Sequence, residues 1–331
     1  MPRYLKVEGR RVEEYSPNPF TGVAVVESAE GYVYCLSPPE YSEEELAQLE
    51  EVLSDIAYDL RPSDLDSGRL EEYLRERGVE DRLVYLVVSK IRGYDWLQPL
   101  VDDERLEDIQ CFRAETPLRV VHRDYGLMKT NVVPSESEVD QMVRLLAYRG
   151  GSSVSVFRAV EDTVILPTGD RASLTYRSEV SPTSSFTIRK FPRDPWTPTK
   201  ILAHNTAPPE VLALLWLAVD LKVPVIVYGP MGSGKTSLMN ALAMLIKPDA
   251  SIAIVQDAPE MRVFHENVLY LYERKAVTAG GEAAAVTLED LIVHALRRSV
   301  DYVIVNEVRG RRESYAWAQA VALGHGGLTS I

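Results

Sequence analysis

Residues 229–236 read Gly-Pro-Met-Gly-Ser-Gly-Lys-Thr, which fits the phosphate-cradling pattern GxxxxGK[ST] at every fixed position. The residue types suit that chemistry. Gly229, Gly232 and Gly234 let the backbone curl without Cβ clashes, so that successive N–H groups face an anion. A helix entered directly after the loop turns the positive end of its dipole on the same anion. Lys235 is long enough to reach the β- and γ-phosphates of a nucleotide, and the Thr236 hydroxyl suits Mg²⁺. Gly229, Pro230, Met231, Gly232, Ser233, Gly234, Lys235, Thr236 and Ser237 are therefore the candidate nucleotide-binding residues.

A phosphate loop alone predicts binding, and hydrolysis needs acids as well. Asp301-Tyr-Val-Ile-Val-Asn-Glu307 is an apolar strand with Glu307 at its carboxyl end, where ligands of open α/β sheets gather. A carboxylate there can hold Mg²⁺ through water. Ile254-Val-Gln-Asp-Ala-Pro-Glu260 leaves another strand and brings Asp257 and Glu260 to the same edge. One of them could orient or deprotonate an attacking water; an ordinary acidic turn at Pro259 is the alternative. His325, between Gly324 and Gly326, could contact the γ-phosphate or serve only as a turn residue.

The flanking patterns supply the elements that must position these groups. From Thr199 onward, strands at 223–228, 251–256, 268–272, 302–305 and 327–331 alternate with helices at 209–221, 234–246, 288–298 and 312–323. Thr287 and Asp290 cap the third of these helices. Such alternation predicts an α/β fold, a largely parallel sheet covered by helices. Residues 101–193 predict an α+β module, with strands at 118–122, 129–133, 154–157, 172–176 and 185–188. Its helix opens at a Ser135/Glu138 capping box and ends at Gly150-Gly151. Residues 1–100 read as acidic and mostly helical after a strand pair at 23–26 and 32–36, with a second capping box at Ser42/Glu45. Prolines 192, 195 and 198 mark a stiff linker, assigned to 194–200, and the P-loop domain takes 201–331.

Composition narrows the function further. The chain has 331 residues, 46% hydrophobic and 26% charged, as befits two or three globular domains. Its net charge of −13 and lack of a basic, aromatic-rich stretch weigh against direct nucleic-acid handling. Cys35 and Cys111 form no CxxC pattern and read as reduced thiols of a cytosolic protein. Met1–Arg11 is too polar for a secretory signal. The most apolar stretch, 211–228, is interrupted by Asp220, Lys222 and Pro224, so it reads as a helix and a strand and not a membrane span.

These motifs together resemble the secretion-superfamily ATPases of type II secretion, type IV pilus assembly and the archaellum, above all their archaeal branch. Gly229–Thr236 matches the Walker A loop, Ile254–Glu260 the Asp box, Asp301–Arg309 the Walker B region and Leu323–Gly327 the start of the His box. Upstream, 106–109, 166–171 and 185–191 resemble the family's N-terminal module, so the likeness runs from about Tyr94 onward. The resemblance implies a RecA-like P-loop domain, a PAS-like N-terminal module, ATP or ADP and Mg²⁺ as ligands, and a hexameric homo-oligomer. It further implies an integral-membrane platform protein as partner, pilin-like subunits indirectly, and a cytoplasmic location peripheral to the membrane. Glu260 is then the catalytic base, Glu307 the Walker B acid, and Arg171 and Arg189 reach the γ-phosphate, often from a neighbouring subunit; a salt bridge within the module is their alternative.

Three positions depart from the pattern. Gln256 stands where the Asp box usually has glutamate, Asn306 where glycine is usual, and Val300 where proline is usual. The chain also ends at Ile331, one position before the expected second His-box histidine, which implies a chain cut short of a helical C-terminal region. An ATP-hydrolysing motor is the leading reading. A nucleotide-binding assembly module with little turnover and a type IV secretion DNA-transfer ATPase are the alternatives.

Overall fold

The computed structural model describes residues 2–39, 41–59, 68–177, 180–191, 195–230, 232–274 and 285–331. The chain divides into two compact units, Met1–Phe191 and Pro192–Ile331. The first unit opens with β1 (Arg3–Tyr4), β2 (Arg10–Asn18), β3 (Thr21–Ser28) and β4 (Gly31–Ser37). Helices α1 (Glu43–Asp59), α2 (Arg69–Glu76), α3 (Asp81–Ile91) and α4 (Gln98–Asp102) follow. The unit closes with β5 (Leu106–Cys111), β6 (Arg119–His122), β7 (Gly126–Thr130), β8 (Val132–Val133), α5 (Glu136–Arg149), β9 (Val160–Ile165), β10 (Arg171–Thr175) and β11 (Ser185–Arg189).

Among the described residues, nine strands form one sheet in the order β2-β3-β4-β7-β6-β5-β11-β10-β9. Neighbours run antiparallel except β4 and β7, which pair in parallel through Val33↔Lys129 and Tyr34↔Thr130. The sheet therefore crosses the boundary expected at residue 100. The amino-terminal meander and the α+β module share one core, in which Val25 and Tyr34 lie with Ile109, Val120 and Phe186. Helices α1 to α3 bury a separate cluster that includes Leu49, Leu70, Leu74, Leu83 and Val87. Both expected capping boxes form: Ser42 with Glu45 at α1, and Ser135 with Glu138 at α5.

Several expected strands shift for identifiable reasons. The stretch 129–133 breaks at Asn131, whose side chain accepts from Leu36 N (2.8 Å) and donates to Leu36 O (3.0 Å). The Asn131 amide thus imitates a strand pairing on β4, and β8 leaves to pair with β1. The stretch 154–157 gives only an isolated bridge between Ser155 and Arg158; the strand is β9, just beyond.

The second unit contains α6 (Pro198–Ala203), α7 (Pro209–Asp220), β12 (Val225–Val227), α8 (Lys235–Ala243), β13 (Ile252–Gln256), β14 (Val268–Tyr272), α9 (Leu288–Leu296), β15 (Tyr302–Val305), α10 (Arg311–Ala322) and β16 (Gly326–Ser330). Part of the expected linker is thus helical: Pro198 occupies the first turn of α6, where its missing N–H is harmless, and the Thr197 side chain caps it. Residue 194 of that linker, with 192 and 193 before it, lies outside the described residues.

The sheet order is β12-β16-β15-β13-β14, and each neighbouring pair is parallel. Every residue of β13, β15 and β16 is buried; β15 and the first four residues of β13 read accordingly as apolar runs, whereas β16 is Gly-Gly-Leu-Thr-Ser. Ile252, Ile254, Tyr302 and Ile304 pack against α7 and α8 on one face. Ala253, Val255, Val303 and Val305 pack against α9 and α10 on the other. Among the described residues, no helix is long and apolar enough to cross a membrane.

Asp301 pins the amino end of this sheet. Its carboxylate accepts from Ser251 N (3.0 Å), Ser251 Oγ (2.9 Å) and Lys222 Nζ (3.0 Å). The Ser251 backbone bond, then the Lys222 and Ser251 side-chain bonds, hold its pKa down at about 2. A depressed carboxyl pKa stabilises the fold above the ordinary value, and that contribution disappears as pH falls through the folded value. Asp301→Asn should therefore lower the urea midpoint above pH 3.8, with the difference from wild type shrinking as pH approaches 2. A difference independent of pH would contradict this role.

Candidate functional site

The phosphate loop leaves the carboxyl end of β12, and its helix α8 starts at Lys235. Gly232 and Gly234 have φ of +77° and +88°, a region that side chains disfavour and glycine enters freely. Among the described residues nothing lies within 4 Å of a Cβ built at either position, so the loop faces open space there. The loop is tied to the neighbouring strand end: Gly229 N donates to Ile331 O (3.4 Å) and Ile331 N to Val227 O (3.0 Å). Lys235 Nζ donates to the Gly229 carbonyl at 2.7 Å, so its charge lies over the loop backbone. The first-turn N–H groups of α8, at Lys235, Thr236 and Ser237, have no intrahelical acceptor by geometry and are available to an anion. Met231 lies outside the described residues.

Because the strands are parallel, the ends of β13 and β15 lie at the same edge as the loop. Two groups of polar side chains form there. In the first, Thr236 Oγ1 stands 3.5 Å from Glu260 Oε2, and Asn306 Nδ2 donates to the same oxygen at 2.7 Å. Gln256 Oε1 accepts from the backbone N–H groups of Glu260 and Met261, both at 3.0 Å. In the second, Arg309 Nη2 and Nε bond Glu307 Oε2 at 2.7 and 3.0 Å, and Arg309 Nη1 stands 3.3 Å from Asp257. Its hydrogen bond to Glu307, ahead of the charges of Asp257 and Glu307, raises the Arg309 pKa. Of the two acids left open by the sequence, Glu260 is the one that meets the loop, while Asp257 belongs with Arg309.

His325 is not brought to this edge within the chain. It precedes β16, whose Gly326 pairs with Tyr302 at the amino end of β15, and its Nδ1 lies 2.6 Å from Val300 O. The five residues of β16, on the order of 16 Å, separate it from the loop-side end. The γ-phosphate contact expected for His325 does not fit this position, and its side chain instead ties the α10–β16 turn to the start of β15.

In the first unit, Arg171 and Arg189 are direct cross-strand partners on β10 and β11. Arg171 donates to Thr163 Oγ1 (2.9 Å) and Arg189 to Asp108 Oδ1 (3.4 Å). Two like charges directly opposite on a sheet are destabilising, by roughly 0.2–1 kcal/mol. The sequence separates them by 18 positions and gave no sign of this pairing.

Residues thus far missed by the motif reading are Asn306 and Arg309. Each sits inside a recognised motif, yet their bonds to Glu260 and Glu307 depend on which way the strand ends turn. The donor set suits a nucleotide with Mg²⁺: a loop of open N–H groups, a lysine, a threonine hydroxyl and nearby carboxylates. Mg²⁺ in such sites keeps several waters and needs no dedicated protein cage.

A five-stranded parallel sheet with a phosphate loop after its edge strand and acids just beyond β13 and β15 defines the fold of a RecA-like P-loop NTPase domain. Residues 102–331 match the family model of type II/IV secretion system proteins, and the chain belongs to that family. It is 34% identical over 253 residues to the uncharacterized protein MJ0900 of Methanocaldococcus jannaschii, covering 76% of this chain and 45% of the relative. It is 32% identical over 187 residues to the type IV secretion system protein PtlH of Bordetella pertussis, covering 49% of this chain and 53% of that protein. The pilus retraction motor PilT with bound ADP shares the fold, with a TM-score of 0.50 at 18% identity over 68% of this chain and 63% of that chain. The chain spans about half the length of the curated relatives it matches.

Gly234→Ala places a Cβ on a left-handed backbone without any clash, so strain alone sets its cost. It should destabilise the second unit by about 1–2 kcal/mol and weaken nucleotide binding. Thermal unfolding with and without nucleotide checks this; unchanged stability and affinity would contradict it.

Proposed function

We propose that the chain is an ATP-hydrolysing motor subunit of a ring, a hexamer of identical chains, that drives secretion or assembles a type IV pilus-like or archaellum-like filament. The observation that carries the proposal is the meeting of Thr236 and Glu260 beside the phosphate loop. In this reading Lys235 and the N–H groups of 232–237 bind the phosphates. Mg²⁺ would be held by Thr236, with Glu307 acting through water, and would neutralise charge on the phosphate oxygens. Glu260 takes the proton of the attacking water. Arg171 and Arg189 face the γ-phosphate of a neighbouring subunit, where guanidinium charge stabilises the transferring group. Keeping two like charges opposite each other on an exposed strand pair is easier to understand if an anion visits them. The chain acts at the cytoplasmic face of a membrane on an integral-membrane platform protein, and through it on pilin-like subunits, without direct nucleic-acid contact.

Gln256 supports turnover and not a silent binding module. Its carbonyl oxygen does for the turn what a carboxylate oxygen would do, so the exchange leaves Glu260 in place.

Lys235→Ala should abolish tight nucleotide binding, whereas Glu260→Gln should keep binding and lower turnover by about 10²–10⁴. Nucleotide titration and phosphate release separate the two. Wild-type turnover in Glu260→Gln would remove the base assignment.

A further inference from the structure

Register continues past the last paired residues of β13 and β15: Val255 faces Val305, and Asn306 N donates to Val255 O at 2.9 Å. Gln256 and Asn306 are thus neighbours at the strand ends, on the α8 face. Both are almost fully buried, at 1% and 3% exposure. Each amide spends one atom on Glu260. Gln256 Oε1 takes two backbone N–H groups of the turn, and Asn306 Nδ2 takes the carboxylate. Each leaves its other atom, Gln256 Nε2 and Asn306 Oδ1, buried without a partner among the described residues. Such orphans cost stability, which apolar residues of similar volume would not. Packing alone therefore does not account for two amides here.

Their orientation is dictated by chemistry. Flipping Asn306 would aim an oxygen at a carboxylate, and flipping Gln256 would aim an NH₂ at two N–H donors. We infer that Gln256 and Asn306 are positioning residues that clamp the catalytic glutamate: Gln256 fixes the backbone of Glu260, and Asn306 holds its carboxylate by Oε2 beside Thr236. Among the described residues Glu260 Oε1 accepts no hydrogen bond, which leaves it for water. This inference rests on the reading of Glu260 as general base.

The test compares Asn306→Gly, which removes the side chain, with Asn306→Asp, which keeps its shape and sets a second carboxylate against Glu260. Phosphate release, nucleotide affinity and thermal unfolding are measured on the full chain with ATP and Mg²⁺. Both variants should lose about ten- to hundredfold in kcat, the value of one charge-assisted hydrogen bond, with nucleotide Kd changed less than about threefold. Wild-type kcat in Asn306→Asp would show that Asn306 only fills space and would overturn the inference. A loss of affinity in step with kcat would overturn it too, as a general disruption of the site. Glu260→Gln, run alongside, keeps the failures apart. If it stays active, the base assignment and the clamp fall together; if it is inactive while Asn306 is indifferent, the clamp alone falls.

Discussion

The parallel direction of all five strands is the constraint on which the site in the second unit depends. Parallel strands end together, so a loop after β12, a turn after β13 and an acid after β15 reach one edge although up to about 80 positions separate them in sequence. The first residue of the loop is tied to the end of β16, and that strand is buried along its whole length. Asp301 holds the opposite end, fixing where β13 and β15 start relative to each other and hence where Gln256, Glu260 and Asn306 finish.

Positional precision at that edge is obtained with polar side chains in a buried setting. Glu260 is held through its backbone by one amide and through its carboxylate by another, while Arg309 joins Glu307 to Asp257. The acids at the edge are therefore sorted into two groups before any nucleotide arrives. The first unit carries a comparable tension, since Arg171 and Arg189 oppose each other across a strand pair, and among the described residues Arg171 bonds Thr163 and Arg189 bonds Asp108.

Much of this was legible in the sequence, and the exceptions share a physical cause. Strands 268–272 and 302–305 were read at their true bounds because both are apolar runs bounded by polar or charged residues, Asn267 and Glu273 for one and Asp301 and Asn306 for the other. β1, β2, β5 and β9 escaped notice. β2 and β9 are the two edges of the nine-stranded sheet, and edge strands carry charge, as Glu13, Glu14, Glu161 and Asp162 do here; β5 is interior, but Glu107 and Asp108 interrupt its apolar pattern. The phosphate loop was legible because its chemistry is local to eight residues. The bond from Asn306 to Glu260 was not, because it spans 46 positions and depends on strand-end direction. The γ-phosphate contact weighed for His325, against a plain turn role, rested on its flanking glycines and the His-box likeness, and sheet direction places it at the other end. The split of the first unit at residue 100 failed for a similar reason: β4 pairs with β7 and β1 with β8 across it, and no local pattern announces either pairing.

The most direct test of the account is phosphate release from ATP by this chain, measured across a Mg²⁺ titration and again after chelation. The account predicts release that rises with Mg²⁺ and stops when the metal is removed. ATP bound tightly with no phosphate released at any Mg²⁺ concentration would contradict it.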